Sequence, residues 1–76
     1  MGISRITVEV GGYNWRVHGN KRGGRFQSDL VELLGNERLD VPLNKKLRLE
    51  LRCAVAKFLD LEIEEVKPIP ADLILA

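Results

Sequence analysis

The chain has 76 residues, of which 45% are hydrophobic and 30% charged, and its formal net charge is +1. A chain of this length buries only about 60–65% of the surface that its unfolded state exposes, which excludes a two-domain cleft or a large nucleotide-binding sheet. The balanced composition also excludes a disordered acidic tail and a strongly basic, histone-like protein. We therefore expect residues 1–76 to form a single small α+β domain.

Residues 3–18 predict a β-hairpin. Apolar and polar residues alternate on both sides of Gly11-Gly12, two glycines that suit a two-residue turn with positive φ. Pairing across this turn places apolar residues opposite one another on one face: Ile6 with Val17, Val8 with Trp15, and Val10 with Tyr13. Because a slip by one residue would destroy this face, the pattern predicts a single register.

The next two segments predict a loop and a short helix. Residues 19–25 contain three glycines and three basic residues and nothing apolar, which is typical of a loop. In residues 28–35, Ser28 is a suitable N-cap, and leucines at helical spacing are followed by Gly35. We expect a helix of about two turns there.

Residues 42–60 predict a long amphipathic helix. Pro42 suits its first turn, and either Asp40 or Asn44 is a candidate N-cap. The glutamates that follow Asp60 would oppose a helix dipole, which favours a break near residue 61. The C-terminal extension 61–76 ends in Leu-Ile-Leu-Ala, either as a short strand beside the hairpin or as an arm, so the predicted order is ββααβ.

The numbers of cysteine and histidine residues limit the disulfide and metal sites that the chain can form. Cys53 is the one cysteine and His18 the one histidine, too few for an internal disulfide or a four-ligand structural zinc site. We expect Cys53 to be a buried thiol and His18 a surface residue. With no catalytic constellation, no metal or cofactor motif and no apolar run of about 20 residues, the sequence predicts a cytoplasmic, non-enzymatic protein without a membrane partner.

The long helix carries a broad apolar face and a second, smaller stripe. The face consists of Leu43, Leu47, Leu51, Ala54, Val55, Phe58 and Leu59, and the stripe consists of Leu49, Cys53 and Ala56. A two-stranded hairpin is too small to cover both, and leaving leucines in water is costly. We therefore expect a protein–protein interaction module, a regulator or accessory subunit, that forms a homodimer or docks on a larger protein. The candidate interaction surface consists of Leu47, Leu49, Leu51, Cys53 and Phe58.

Charge placement supports an alternative function. Five basic residues and one acidic residue give residues 1–27 a charge of +4, whereas seven basic and ten acidic residues give residues 28–76 a charge of −3. Guanidinium groups beside glycines suit phosphate, so the alternative is a nucleic-acid-binding module. Its candidate contacts are Arg16, Lys21, Arg22 and Arg25.

Overall fold

One helix packs on one face of a mostly antiparallel sheet. The computed structural model describes residues 4–35 and 44–75. Its elements are strands β1 (Ser4–Val10), β2 (Tyr13–Arg22) and β3 (Arg25–Leu33), helix α1 (Lys45–Leu59), and strand β4 (Ile74–Leu75). The strands are ordered β1-β2-β3-β4, with β4 parallel to β3 and the other pairs antiparallel. The α+β class is confirmed, but the order ββααβ is not.

The first hairpin has the predicted register. Val8 lies opposite Trp15, and Gly11 and Gly12 have φ values of 64° and 82°, which fit a two-residue primed turn. Trp15 is fully buried, and its indole Nε1 donates a hydrogen bond to the Val10 carbonyl at 3.0 Å. Trp15 is therefore a core residue rather than a platform for stacking bases.

The prediction of a loop over residues 19–25 is wrong. Strand β2 continues to Arg22, and β3 begins at Arg25. Gly23 and Gly24, with φ values of 60° and 79°, form a second two-residue turn that resembles the first. The glycines and cations therefore lie along and at the end of a second hairpin.

The prediction of a helix over residues 28–35 is also wrong, because most of this segment belongs to β3. The register shifts by one residue between His18 and Gly19, which leaves Asp29 as an extra residue in β3. Before this bulge the buried residues of β3 are Phe26 and Ser28, whereas after it the fully buried residue is Val31. The bulge interrupts the alternation of buried and exposed residues in β3. The leucines around it have the spacing of an apolar helical face, which is why the sequence predicted a helix.

Helix α1 starts three residues later than predicted, with Asn44 as its N-cap. The Asn44 side chain accepts a hydrogen bond from the Leu47 N–H at 2.9 Å. The other cap candidate, Asp40, and Pro42 lie outside the described residues. At its other end the helix stops as expected, because Asp60 adopts the left-handed conformation with φ 57°.

We expect Asn44→Ala to lower the free energy of unfolding by about 1 kcal/mol, since it removes the oxygen that satisfies the Leu47 N–H. Urea denaturation followed by circular dichroism would measure this loss. Asn44→Asp, which retains an acceptor, is the matched control and should remain close to the wild type. Equal stability of the alanine and aspartate variants would contradict the role of the cap.

The segment after α1 completes the core. Two short 3-10 turns, Ile63–Glu65 and Ala71–Leu73, precede β4. Of the two alternatives for the C-terminal segment, a short strand is observed, but it pairs with β3 rather than with the first hairpin. Arg52 ties this segment to α1: its Nε donates to the Val66 carbonyl at 2.7 Å and its Nη2 donates to the Ile63 carbonyl at 3.0 Å. The buried side chains from sheet, helix and C-terminal segment form one cluster.

This cluster overturns the argument that the chain has too much apolar surface for its own sheet. In addition to the two predicted strands, β3, β4 and the C-terminal segment cover apolar side chains. Among the described residues, the large apolar side chains left exposed are Leu49, at 50%, and Phe58, at 59%. Self-association therefore needs another physical basis. Across residues 4–35 and 44–75, no helix has the length and apolar character that crossing a membrane requires.

Candidate interaction surfaces

Strand β1 forms an open edge of the described sheet. It is the first strand in the order and pairs on one side with β2. The Asn14 carbonyl accepts a hydrogen bond from Leu34, so the backbone groups of this position point from β2 toward β3. The N–H and C=O groups of successive residues point to opposite sides of a strand. Those of Trp15 and Val17 therefore point toward β1. Their partners Val8 and Ile6 therefore point back toward β2.

It follows that Arg5, Thr7 and Glu9 direct their N–H and C=O groups away from the sheet. The same three residues are exposed, while Ile6 and Val8 between them, and Val10 after them, are buried beneath α1. Natural edge strands are usually blunted by proline, lysine, a bulge or an inward-pointing charge. Over its seven residues β1 has none of these four features, and the charges it does carry on its exposed face are one basic and one acidic residue, Arg5 and Glu9.

The sequence of β1 is self-complementary when it is read in opposite directions about Thr7. Two antiparallel copies in this register place Arg5 opposite Glu9 twice, on the exposed face. On the buried face the same register places Ile6 opposite Val8. Opposite charges and β-branched pairs directly across from each other stabilise adjacent strands.

The predicted nucleic-acid contacts fall into two places. Lys21, Arg22 and Arg25 are all exposed and cluster at the tip of the second hairpin. Arg22 also contacts Asn20 Oδ1 at 2.9 Å and lies 3.8 Å from Asp29 Oδ2. The tip therefore carries three exposed cations: Arg22 and Arg25 lie opposite each other with the Asp29 carboxylate beside Arg22, and Lys21 lies on the other face of the hairpin.

Arg16 does not belong to this tip. It lies in the middle of β2, opposite Thr7 on one side and Glu32 on the other. Six residues of extended strand separate it from Arg22, which corresponds to about 20 Å. The structure therefore does not bring the four predicted cations together.

The outer face of the sheet holds one polar pair that the sequence analysis did not identify. His18 Nε2 and Glu32 Oε1 lie within hydrogen-bond distance across β2 and β3. The pairing was missed because residues 28–35 were predicted to be helical, which removed Glu32 from the sheet. Within the described ranges, 4–35 and 44–75, no cluster of His, Cys, Asp or Glu is suited to hold a metal ion.

The predicted apolar interaction surface is divided by the fold. Leu47 and Leu51 are buried in the core, so they are not available to a partner. Leu49, Cys53 and Phe58 are exposed, which corrects the expectation of a buried thiol at Cys53. Nine residues separate Leu49 from Phe58, which places them on roughly opposite sides of α1. The exposed apolar residues therefore do not form a single patch.

Comparison of the chain with protein-family models, with curated proteins and with solved structures finds no match. The interpretation of these surfaces consequently rests on their own geometry and chemistry.

Proposed function

We propose that this protein is a small non-catalytic interaction module that self-associates through the open edge of β1. The observation that carries the proposal is the self-complementary sequence of an edge strand without proline, lysine or a bulge, whose exposed charges, Arg5 and Glu9, lie opposite each other when two copies pair about Thr7. This basis differs from the apolar surplus, which the fold absorbs.

In the proposed dimer, two copies of β1 lie antiparallel with Thr7 opposite Thr7 of the second copy. The outward N–H and C=O groups of Arg5, Thr7 and Glu9 then pair across the interface, and the sheet continues from one subunit into the other. The arrangement is isologous, because each surface contacts an identical surface, and it closes after two subunits. Since Ile6 and Val8 are already buried within each subunit, the interface gains little apolar area. The dimer is therefore expected to be reversible.

A reversible edge suits a regulator or accessory subunit in the cytoplasm. The same backbone groups that pair two copies also accept an extended segment of another protein by strand addition. Self-association would then compete with binding of a larger partner, so dimer and partner complex are alternative states of one edge.

Sedimentation equilibrium at high micromolar concentration tests the proposal. We expect the wild type to approach the mass of a dimer and Thr7→Lys to remain a monomer, because the substitution places two like charges directly opposite at the two-fold axis. Gln27→Lys is the matched control: it adds the same charge to the same outer face on β3, away from the edge, and should still dimerise. A monomeric wild type, or a Thr7→Lys variant as dimeric as the control, would refute the β1 interface.

The exposed hairpin tip favours a second candidate function, binding of nucleic acid phosphates. Arginines that project from a hairpin reach a phosphate backbone without displacing core residues. This function uses the tip rather than Arg16.

We expect that, if the tip binds nucleic acid, affinity for a generic RNA or DNA falls steeply between about 50 mM and 200 mM salt, because each phosphate contact releases counterions. Combined Arg22→Ala and Arg25→Ala substitutions should abolish binding while circular dichroism remains unchanged. Fluorescence anisotropy with a labelled oligonucleotide would measure both effects. Binding that survives the double substitution would place the contacts elsewhere.

A further inference from the structure

A cavity of about 250 Å³ lies between the beginning of α1 and the C-terminal segment. Its lining consists of Lys45, Arg48, Leu49, Arg52, Pro68 and Ile69. We propose that this cavity binds a small organic anion, a carboxylate or phosphate group attached to a short apolar body. This site is separate from the β1 edge and does not depend on the proposed self-association.

Three of the six lining side chains are cationic and none is acidic. The Arg52 guanidinium is held in place by two backbone carbonyls, those of Ile63 and Val66. Its fixed positive charge therefore raises the cost of bringing two further cations, Lys45 and Arg48, to the same cavity. An anion placed among the three would remove this repulsion.

Arg48 supplies an independent sign that a partner is missing. Its Nε is buried, and it has no hydrogen-bond partner among the described residues. A buried donor of a charged group without an acceptor is costly, whereas carboxylate and phosphate oxygens pair with guanidinium groups through two parallel hydrogen bonds. An oxyanion is therefore the ligand class that suits the Arg48 guanidinium, and the Arg48 side chain must turn toward the cavity for its buried Nε to pair with it.

The charges of the first turn of α1 also favour a negatively charged ligand. It contains Lys45 and Lys46 and no acidic residue, although the positive end of the helix dipole favours acidic side chains there. Within the described part of the chain, positive charge accumulates around the cavity from both the side chains and the helix. A bound anion would offset both contributions.

Leu49, Pro68 and Ile69 indicate that the ligand also has an apolar part. They supply the apolar wall, and the half-exposed Leu49 side chain lies at the rim of the cavity. A bare inorganic ion would leave this wall in water, whereas a short alkyl or aryl group would cover it. The volume of about 250 Å³ lies below the roughly 300–1,000 Å³ usual for ligand pockets, which limits the apolar body to a short chain or a single ring.

Octanoate is a suitable probe, because it has both a negative charge and a short apolar body. Octan-1-ol and inorganic phosphate each have only one of these two features. Chemical-shift titration of the Leu49 and Ile69 methyl groups in the full-length protein should give saturable binding of octanoate. Octan-1-ol lacks the charge and phosphate lacks the apolar body, so we expect each to bind at least about tenfold more weakly.

Arg48→Met should weaken octanoate binding by about tenfold, because it removes one of the three cationic side chains that line the cavity. Lys45→Met, at an exposed position, should weaken it without any risk to the core. Lys46→Met is the matched control, since it removes an equal charge from the same helical turn outside the cavity, and it should leave binding within about twofold.

Absence of saturable shifts with octanoate would overturn the proposal, as would octan-1-ol binding as tightly as octanoate. Equal effects of Lys45→Met and Lys46→Met would also overturn it, because a diffuse field of positive charge would then explain the affinity. If the amide spectrum shows that Arg48→Met is unfolded, the comparison of Lys45→Met with Lys46→Met decides whether the cavity binds the anion.

Discussion

Replacing Gly19 by alanine is expected to lower the free energy of unfolding by about 3 kcal/mol, close to the limit of what a small domain tolerates. A Cβ atom at this position would overlap the Gln27 carbonyl oxygen and lie 2.7 Å from Cζ of Phe26. Phe26 is 2% exposed and therefore has little room to move. Gly19 stands where the register shifts, so the backbone of β3 approaches it too closely for any side chain.

Urea denaturation monitored by Trp15 fluorescence would measure this loss. Ser28→Ala is the matched control, because Ser28 lies directly opposite Gly19 and its buried Oγ has no hydrogen-bond partner among the described residues. Removing that hydroxyl should be neutral or slightly stabilising. If Gly19→Ala were as stable as Ser28→Ala, the close approach of β2 and β3 at the bulge would be wrong.

Reversing one charge of β1 is expected to weaken self-association by about tenfold or more, and reversing both should restore it. Arg5→Glu places two glutamates opposite each other at two symmetric positions, and Glu9→Arg creates the equivalent repulsion between arginines. The double variant exchanges the two charges and regenerates both pairs. Rescue is the informative result, since general damage to the strand would not be reversed by a second substitution.

Analytical ultracentrifugation of the four proteins gives the dissociation constants. Arg25→Glu is the control for net charge, because it makes the same change at the hairpin tip, away from β1. The differences should shrink at high salt, as expected for exposed ion pairs. Additive effects of the two reversals, without rescue, would exclude the register centred on Thr7.

The first hairpin could be predicted from the sequence because two independent signals agreed. Gly11-Gly12 set the turn, and alternation on both sides of it set the register. The second hairpin carried the same turn signal at Gly23-Gly24, but its strands lacked alternation. In β3 the cause is the bulge at Asp29, which moves the buried positions out of phase. In β2 the positions that continue the series Trp15 and Val17 hold Gly19 and Lys21 instead of apolar residues. The turn signal without alternation did not lead to a prediction of the second hairpin.

The sequence predicted the ends of α1 better than it predicted which of its side chains are exposed. Phe58 lies within the predicted apolar face but is 59% exposed, whereas Ala56 lies on the smaller stripe and is buried. Helical periodicity gives the angle of each residue about the axis, but the shape of the surrounding segments decides which angles are covered. Here the chain after Asp60 covers one flank of α1, and Arg52 holds it there.

The candidate surfaces depended on topology, which the sequence does not give. The order of strands determines that β1 is an edge, and only then does its self-complementary sequence acquire meaning. Likewise, the cations of the cavity are close to Pro68 and Ile69 because the C-terminal segment returns beside α1. The basic tip was visible as a cluster in sequence, whereas Arg16 was added to it by proximity along the chain alone.

Hydrogen exchange at the Thr7 amide tests the β1 interface most directly. This N–H points away from the sheet, so it exchanges rapidly in a monomer even though Ile6 and Val8 on either side are protected by β2. We expect its exchange to slow markedly as protein concentration rises from low to high micromolar, with no comparable change at Ile6 or Val8. A Thr7 amide that exchanges equally fast at every concentration would contradict pairing of two subunits through this edge.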